Sequence, residues 1–193
     1  MTEVVFARGR WLPDVLREDG RLRLEIIGGA DALGDARRFT IPFSEAHVAR
    51  IREDLPRHVL LRAALLPLCY AAGSMGRMDE PAAVRLLESV LYGDEGEVDA
   101  VFETSPGDST HTLISHGADP VLLDAGKAYA AAQSAVASTS WDLVREYEER
   151  RRGPLATPRP RHHRQAGEGA LLADMSAEQR CRVRGDHALS HGG

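Results

Sequence analysis

Asparagine is absent from the chain, and lysine occurs once, at Lys127, so 23 of the 24 basic residues are arginine. Lysine and asparagine codons are AT-rich, whereas those of Arg, Ala, Gly and Pro are GC-rich. A GC-rich genome explains the bias, so abundant arginine does not by itself mark arginine-specific chemistry. The two cysteines, Cys69 and Cys181, form no CxxC pair, which excludes a disulfide-stapled framework. Cys69 lies in an apolar segment and reads as a small core residue. No run approaches the roughly 20 apolar residues of a membrane span. The longest apolar stretch, Val59 to Ala72, is interrupted by Arg62 and Pro67. The opening Met1-Thr2-Glu3-Val4 lacks a basic segment followed by an apolar one, so the expectation is a cytoplasmic protein. There is no Walker loop, and no GxGxxG follows a strand pattern. Asp94-Glu95-Gly96-Glu97 lacks the ligand order of an EF-hand. No cofactor is implied.

What is present fits a globular domain with a tail. Of 193 residues, 43% are hydrophobic and 27% charged, both ordinary values. The charge is uneven. Residues 1–149 carry 15 basic and 25 acidic side chains, a net of −10, whereas 150–193 carry 9 and 4, a net of +5. An acidic body disfavours broad phosphate binding. The boundaries read as one domain over 1–152 and a basic, disordered tail over 153–193, rich in Gly, Pro, Arg and His.

The N-terminal part reads as strands: Glu3–Ala7, Trp11–Arg17, a run around Leu22, Leu24 and Ile26, and Phe39–Phe43. Leu22, Leu24 and Ile26 alternate with Arg21, Arg23 and Glu25, the period of a half-buried antiparallel strand. Glu18-Asp19-Gly20 signals a hairpin, because glycine takes positive φ at no steric cost. Gly28, Gly29 and Gly34 read as loop glycines, and Pro42 marks an edge or a strand end. Helices follow. Ser44 caps one from Glu45 to about Leu55. Pro56 opens a second that is apolar nearly all round, the central core helix, which Pro67 should kink or divide. Asp79 and Gly93 bound a third. Residues 94–103 suit a short helix. Residues 104–118 read as loop with a short strand or turn at Thr112–Ile114. An alanine-rich helix spans about Pro120 to Ala137, and a last one runs from Ser140 to Arg152 with Trp141, Val144 and Tyr147 on its inner side. The expected fold is α+β: an antiparallel meander of three or four strands packed against four to five helices. A weak helical patch is expected at 170–184.

Several motifs bear on chemistry. Ala72-Gly73-Ser74-Met75-Gly76 has the small residues of a nucleophile elbow, but the segment before it is helical and Pro81 lies where the following helix should run. It reads as a helix end and linker. His111, His116, Asp108 and Asp119 crowd one segment, and a His/carboxylate pair there could do acid–base work if folded into a cleft. Asp119 before Pro120 is equally a helix cap. Thr112 to Pro120 has the turn chemistry that ends an ankyrin repeat, yet no second copy exists at the required period, so it reads as a helix–turn–helix junction. Cys181, His187 and His191 could bind metal, but a fourth ligand is missing. Arg159 to Arg164 form a basic patch without interleaved aromatics, which favours a solvated linker over a single-strand platform.

Two segments together resemble a known pattern: Arg17-Glu-Asp-Gly-Arg-Leu-Arg-Leu with the later Phe39-Thr-Ile-Pro-Phe, and His47-Val-Ala-Arg-Ile-Arg-Glu-Asp-Leu running into Leu65-Leu-Pro-Leu-Cys69. In that order they resemble an uncharacterised family of small proteins from GC-rich bacteria, known only as a domain of unknown function. The resemblance covers residues 3–152 and carries no activity, cofactor or site residue with it.

The functional expectation is therefore a non-enzymatic, partner-binding protein of adaptor or immunity type, its acidic body suited to a basic protein partner. The alternatives are an enzyme with its site in 104–119 and a nucleic-acid-associated protein acting through the tail. A histidine beside a carboxylate in a pocket would favour the enzyme.

Overall fold

A computed structural model describes residues 2–9, 11–103 and 107–153. The metal candidates Cys181, His187 and His191, the basic patch Arg159–Arg164, the 170–184 patch and the expected disordered tail all lie outside these residues.

Four strands form one antiparallel sheet in the order β1 (Thr2–Phe6), β2 (Asp14–Glu18), β3 (Arg21–Ala30) and β4 (Ala36–Pro42). The β2–β3 turn is closed by Asp19 and Gly20 with φ of 49° and 77°. Both central residues are thus left-handed, as a two-residue hairpin following the strand twist requires. Glu18 pairs with Arg21, and Leu24 faces Val15 and Ile41 on its two neighbours. Pro42 ends β4 at the sheet edge.

Gly28 and Gly29 are not loop residues. They lie inside β3, where the pairing with β4 is irregular between Ile27 and Ala30. The cause is close approach of a helix. A Cβ on Gly28 would stand 2.7 Å from Leu66 Cδ1, and one on Gly29, at φ +67°, would stand 3.1 Å from the Cys69 carbonyl oxygen. Side chains here would push the helix off the sheet.

Among the described residues, eight helices follow rather than four or five: α1 (Glu45–Glu53), α2 (Leu55–Ala71), α3 (Glu80–Tyr92), α4 (Glu95–Glu103), α5 (Gly107–Ser115), α6 (Pro120–Asp124), α7 (Ala128–Ala132) and α8 (Trp141–Arg152). The caps at Ser44, Asp79 and Asp119 are those the sequence signals, and Asp54 is one it did not. Ser44 accepts from the His47 N–H at 3.2 Å while His47 Nδ1 accepts from the Ser44 N–H. Asp54, Asp79 and Asp119 cap α2, α3 and α6. α2 is the centre: it packs on β3 and is flanked by α3, α5 and α7. Val59, Leu60, Leu61 and Leu65 are fully buried against Val15, Leu24, Ile26 and Ile41 of the sheet.

Four expectations need correction. Pro67 does not divide α2, which runs unbroken to Ala71. Proline lacks the N–H that would bond the Ala63 carbonyl, and Ser109 of α5 supplies the missing donor, Oγ to Ala63 O at 2.9 Å. Residues 107–115 are helix, not loop and strand. Their hydroxyls turn inward along the backbone, Thr112 Oγ1 to Asp108 O at 2.8 Å and Ser115 Oγ to Thr112 O at 2.7 Å, and Leu113 and Ile114 are buried. The helix expected over Pro120–Ala137 is two short ones, because Gly126 adopts φ 74° and the Lys127 N–H bonds back to Leu122 O. On α8, Val144 and Tyr147 are buried but Trp141 is not.

Candidate functional site

One face of α2 and one face of α5 meet beyond the edge of their shared packing. Arg62, Leu66 and Tyr70 recur at i, i+4 and i+8 on α2. Asp108, His111, Thr112 and Ser115 recur at i, i+3, i+4 and i+7 on α5. Between them, lined also by Trp11, Trp141, Gly28 and Gly29, is a cleft of about 270 Å³. The two glycines that let α2 approach the sheet also line the cleft, so one sequence element serves packing and cavity together.

The lining is polarised. Arg62 is partly buried, and burial pushes its guanidinium below the usual arginine range. It stays charged and bonded: Nη1 donates to the Trp11 carbonyl, and the guanidinium carbon lies 5.9 Å from the Trp11 ring centre. Tyr70 is pushed up, first by burial and then by the nearby Asp108 carboxylate. His111 Nε2 lies 2.7 Å from Glu148 Oε1 of α8. That hydrogen bond holds the Glu148 carboxyl below its ordinary value, with Arg152 and Arg151 adding to the effect. Beneath the cleft, Cys69 is buried and its thiol is pushed up to about 11, so it has no thiolate chemistry near neutral pH.

The four clustered candidates thus separate. Asp108 and His111 share the cleft. His116 is fully buried behind it, its Nδ1 2.9 Å from the Val136 carbonyl and its Nε2 without a partner among the described residues. Burial lowers its basicity. Asp119 accepts from the Val121 and Leu122 N–H groups and is the α6 cap. Thr112–Pro120 is the helix–turn–helix junction, with Gly117 at φ 85°. Ser74 stands exposed on a turn after a helix, and Arg37 donates to the Gly73 and Gly76 carbonyls beside it, so the geometry of an elbow is absent. Among the described residues no group of three or more His, Cys, Asp or Glu side chains could hold a metal ion, and no helix is long and apolar enough to cross a membrane.

Sequence reasoning missed Trp11, Tyr70, Trp141, Arg62 and Glu148. The signal for Arg62 was present: a lone arginine inside the apolar run of a core helix must be there for a reason. The α5 face could be read only after α5 was known to be a helix.

No curated protein and no solved structure matches the chain. A family model described as Family of unknown function (DUF6357) matches residues 1–157, four-fifths of the sequence and the whole described body. The chain belongs to that family of unknown function.

Proposed function

We propose that this is a non-enzymatic, cytoplasmic binding protein that captures a basic protein partner through the cleft between α2 and α5. One observation carries the reading. The chain has two tryptophans, and both stand partly in water at the mouth of the same cleft, Trp11 38% and Trp141 64% exposed, with Tyr70 48% exposed beside them. Indoles gathered around a depression are the usual anchors of a protein interface, since their burial is worth most where water is fully excluded. The net charge of −10 over residues 1–149 adds long-range attraction for a basic partner. The test is capture from the native host at low and high salt with wild type and Trp141→Ala. The expected result is a stoichiometric basic partner that is retained less as salt rises and lost with Trp141→Ala. Equal retention by the variant, or no partner at all, overturns the reading.

A second reading is favoured by the His111–Glu148 pair at 2.7 Å, which opens on the cleft that Asp108 also lines. A carboxylate fixing an imidazole beside a cavity is the arrangement of a general base. A turnover found in metabolite screening and lost in both His111→Gln and Glu148→Gln would establish it. Absence of any such activity would leave the pair as a tie between α5 and α8.

A further inference from the structure

Arg62 of α2 and Asp108 of α5 line the same cleft with opposite charges, yet they do not pair with each other, and neither has another ion-pair partner among the described residues. We propose that the cleft binds a free α-amino acid with an apolar or aromatic side chain, its carboxylate on Arg62, its ammonium on Asp108 and its side chain among Trp11, Leu66 and Trp141.

Arg62 supplies the first half of the argument. A cation in the apolar run of a core helix is costly to leave without a counter-charge. Nη1 is spent on the Trp11 carbonyl. Nε and Nη2 have no acceptor among the described residues, and both are open to water. These two nitrogens form the side-on edge of the guanidinium, the edge that matches a carboxylate with two parallel hydrogen bonds. The Trp11 bond fixes the plane of the group and leaves that edge unused.

Asp108 supplies the second half. It is exposed, in the first turn of α5. Its carboxylate and the Arg62 guanidinium both act on the phenol of Tyr70, the first raising and the second lowering its acid range. Tyr70 is 48% exposed, so both charges stand near one accessible ring of the cleft. Glu148, the carboxylate that holds His111, is already spent on that pair. An α-amino acid carries its carboxylate and ammonium on one carbon, and so it bridges two opposite charges that two helices hold apart. The remainder of the lining is largely apolar, with Leu66 one turn beyond Arg62 on α2 and with Ile27 and the two tryptophans. At about 270 Å³ the cleft falls below the roughly 300–1,000 Å³ that drug-sized ligands fill, which suits a single amino acid.

Partner capture is assigned above to the same cleft, so a bound amino acid excludes the partner and regulates its capture. That consequence rests on the capture reading, whereas the ligand site rests on Arg62 and Asp108.

The test titrates the full chain with L-phenylalanine and with L-leucine and follows tryptophan fluorescence, because both tryptophans of the chain line the cleft. A saturable change is expected with at least one of them. Its amide, which lacks the carboxylate, and its N-acetyl form, which lacks the ammonium, should each bind about tenfold or more weakly, as loss of a charge-assisted hydrogen bond predicts. Arg62→Gln should bring the free amino acid down to the affinity of its amide. Asp108→Asn should bring it down to that of the N-acetyl form, and this exposed position serves if Arg62→Gln does not fold. Saturation by neither amino acid, capped forms that bind as tightly as free ones, or an Asp108→Asn titration identical to wild type overturns the site. Displacement of a captured partner by the same amino acid supports the regulation, and binding without displacement overturns the regulation alone. Amino-acid binding by a chain that captures no partner overturns only the capture reading.

Discussion

Two arginines, Arg57 at the start of α2 and Arg8 after β1, both donate to backbone carbonyls and do different things. Arg57 is buried at the first turn of α2. It donates to the Val90 and Gly93 carbonyls at the end of α3 at 2.5 and 2.9 Å, pairs with Asp54 at 3.4 Å and lies 5.0 Å from the Tyr129 ring centre. Its partners come from α2, α3 and α7, so the guanidinium closes the end of one helix onto two others. Arg8 is partly buried, donates to one carbonyl and lies against one ring. The residue type is the same. What differs is depth and reach: Arg57 is buried and ties three helices together, whereas Arg8 is only partly buried and holds one carbonyl.

The largest effect should come from the clamp. Arg57→Ala leaves the Val90 and Gly93 carbonyls without this donor and removes one of the two arginines paired with Asp54, and is expected to cost about 3 kcal/mol in chemical denaturation. Arg8→Gln, measured in the same way, should cost less than about 1 kcal/mol, because the neutral amide can still reach a carbonyl. Equal losses would erase the distinction.

Next comes acid. His58 is fully buried on α2, its Nε2–H donating to the Pro13 carbonyl at 2.9 Å, and burial holds its basicity down to about 4, with Arg8 and His116 adding smaller repulsions. The unfolded chain binds this proton at about 6.5. Between those values the unfolded state holds more protons, so stability falls as pH drops from about 6.5 to about 4, by at most about 3 kcal/mol. His116, lowered in the same direction, acts likewise. His58→Gln should flatten this limb of the stability–pH curve, and an unchanged slope would place the acid sensitivity elsewhere.

A smaller effect tests Pro67. Ser109→Ala leaves the Ala63 carbonyl without a donor and should cost about 1–2 kcal/mol. In a Pro67→Ala background, which restores the helical N–H, the same change should cost clearly less. The smallest change is expected of Trp141→Ala: under about 0.5 kcal/mol in stability, since the indole is mostly in water, while partner capture is lost.

Where a local rule dominates, the sequence reads through to the structure. The Asp19-Gly20 hairpin, the alternation of Leu22, Leu24 and Ile26, and the Ser44, Asp79 and Gly93 caps depend on steric freedom or on donors within a few residues. Reading fails where distant groups decide. Thr110, Thr112 and Ile114 are β-branched and favour extended chain in isolation, yet burial of Leu113 and Ile114 against the rest of the body makes 107–115 a helix. Gly28 and Gly29 carry the look of a loop because their missing side chains answer to Leu66 and Cys69, about 40 residues further along the chain. The candidate site divides in the same way. Asp108 and His111 were legible as a cluster, but Glu148, Arg62 and the two tryptophans join them only through packing.

The sequence by itself determined an α+β body with its strands first, an apolar central helix, an acidic surface and the positions of the caps, because periodicity, glycine sterics and charge are properties of neighbouring residues. Only the tertiary structure decided that Pro67 stays within a continuous helix, that α5 is a helix, and that Trp11, Tyr70 and Trp141 ring one cleft. Those outcomes turn on which carbonyls find donors and which side chains find cover across dozens of residues, and no local pattern records such long-range satisfaction.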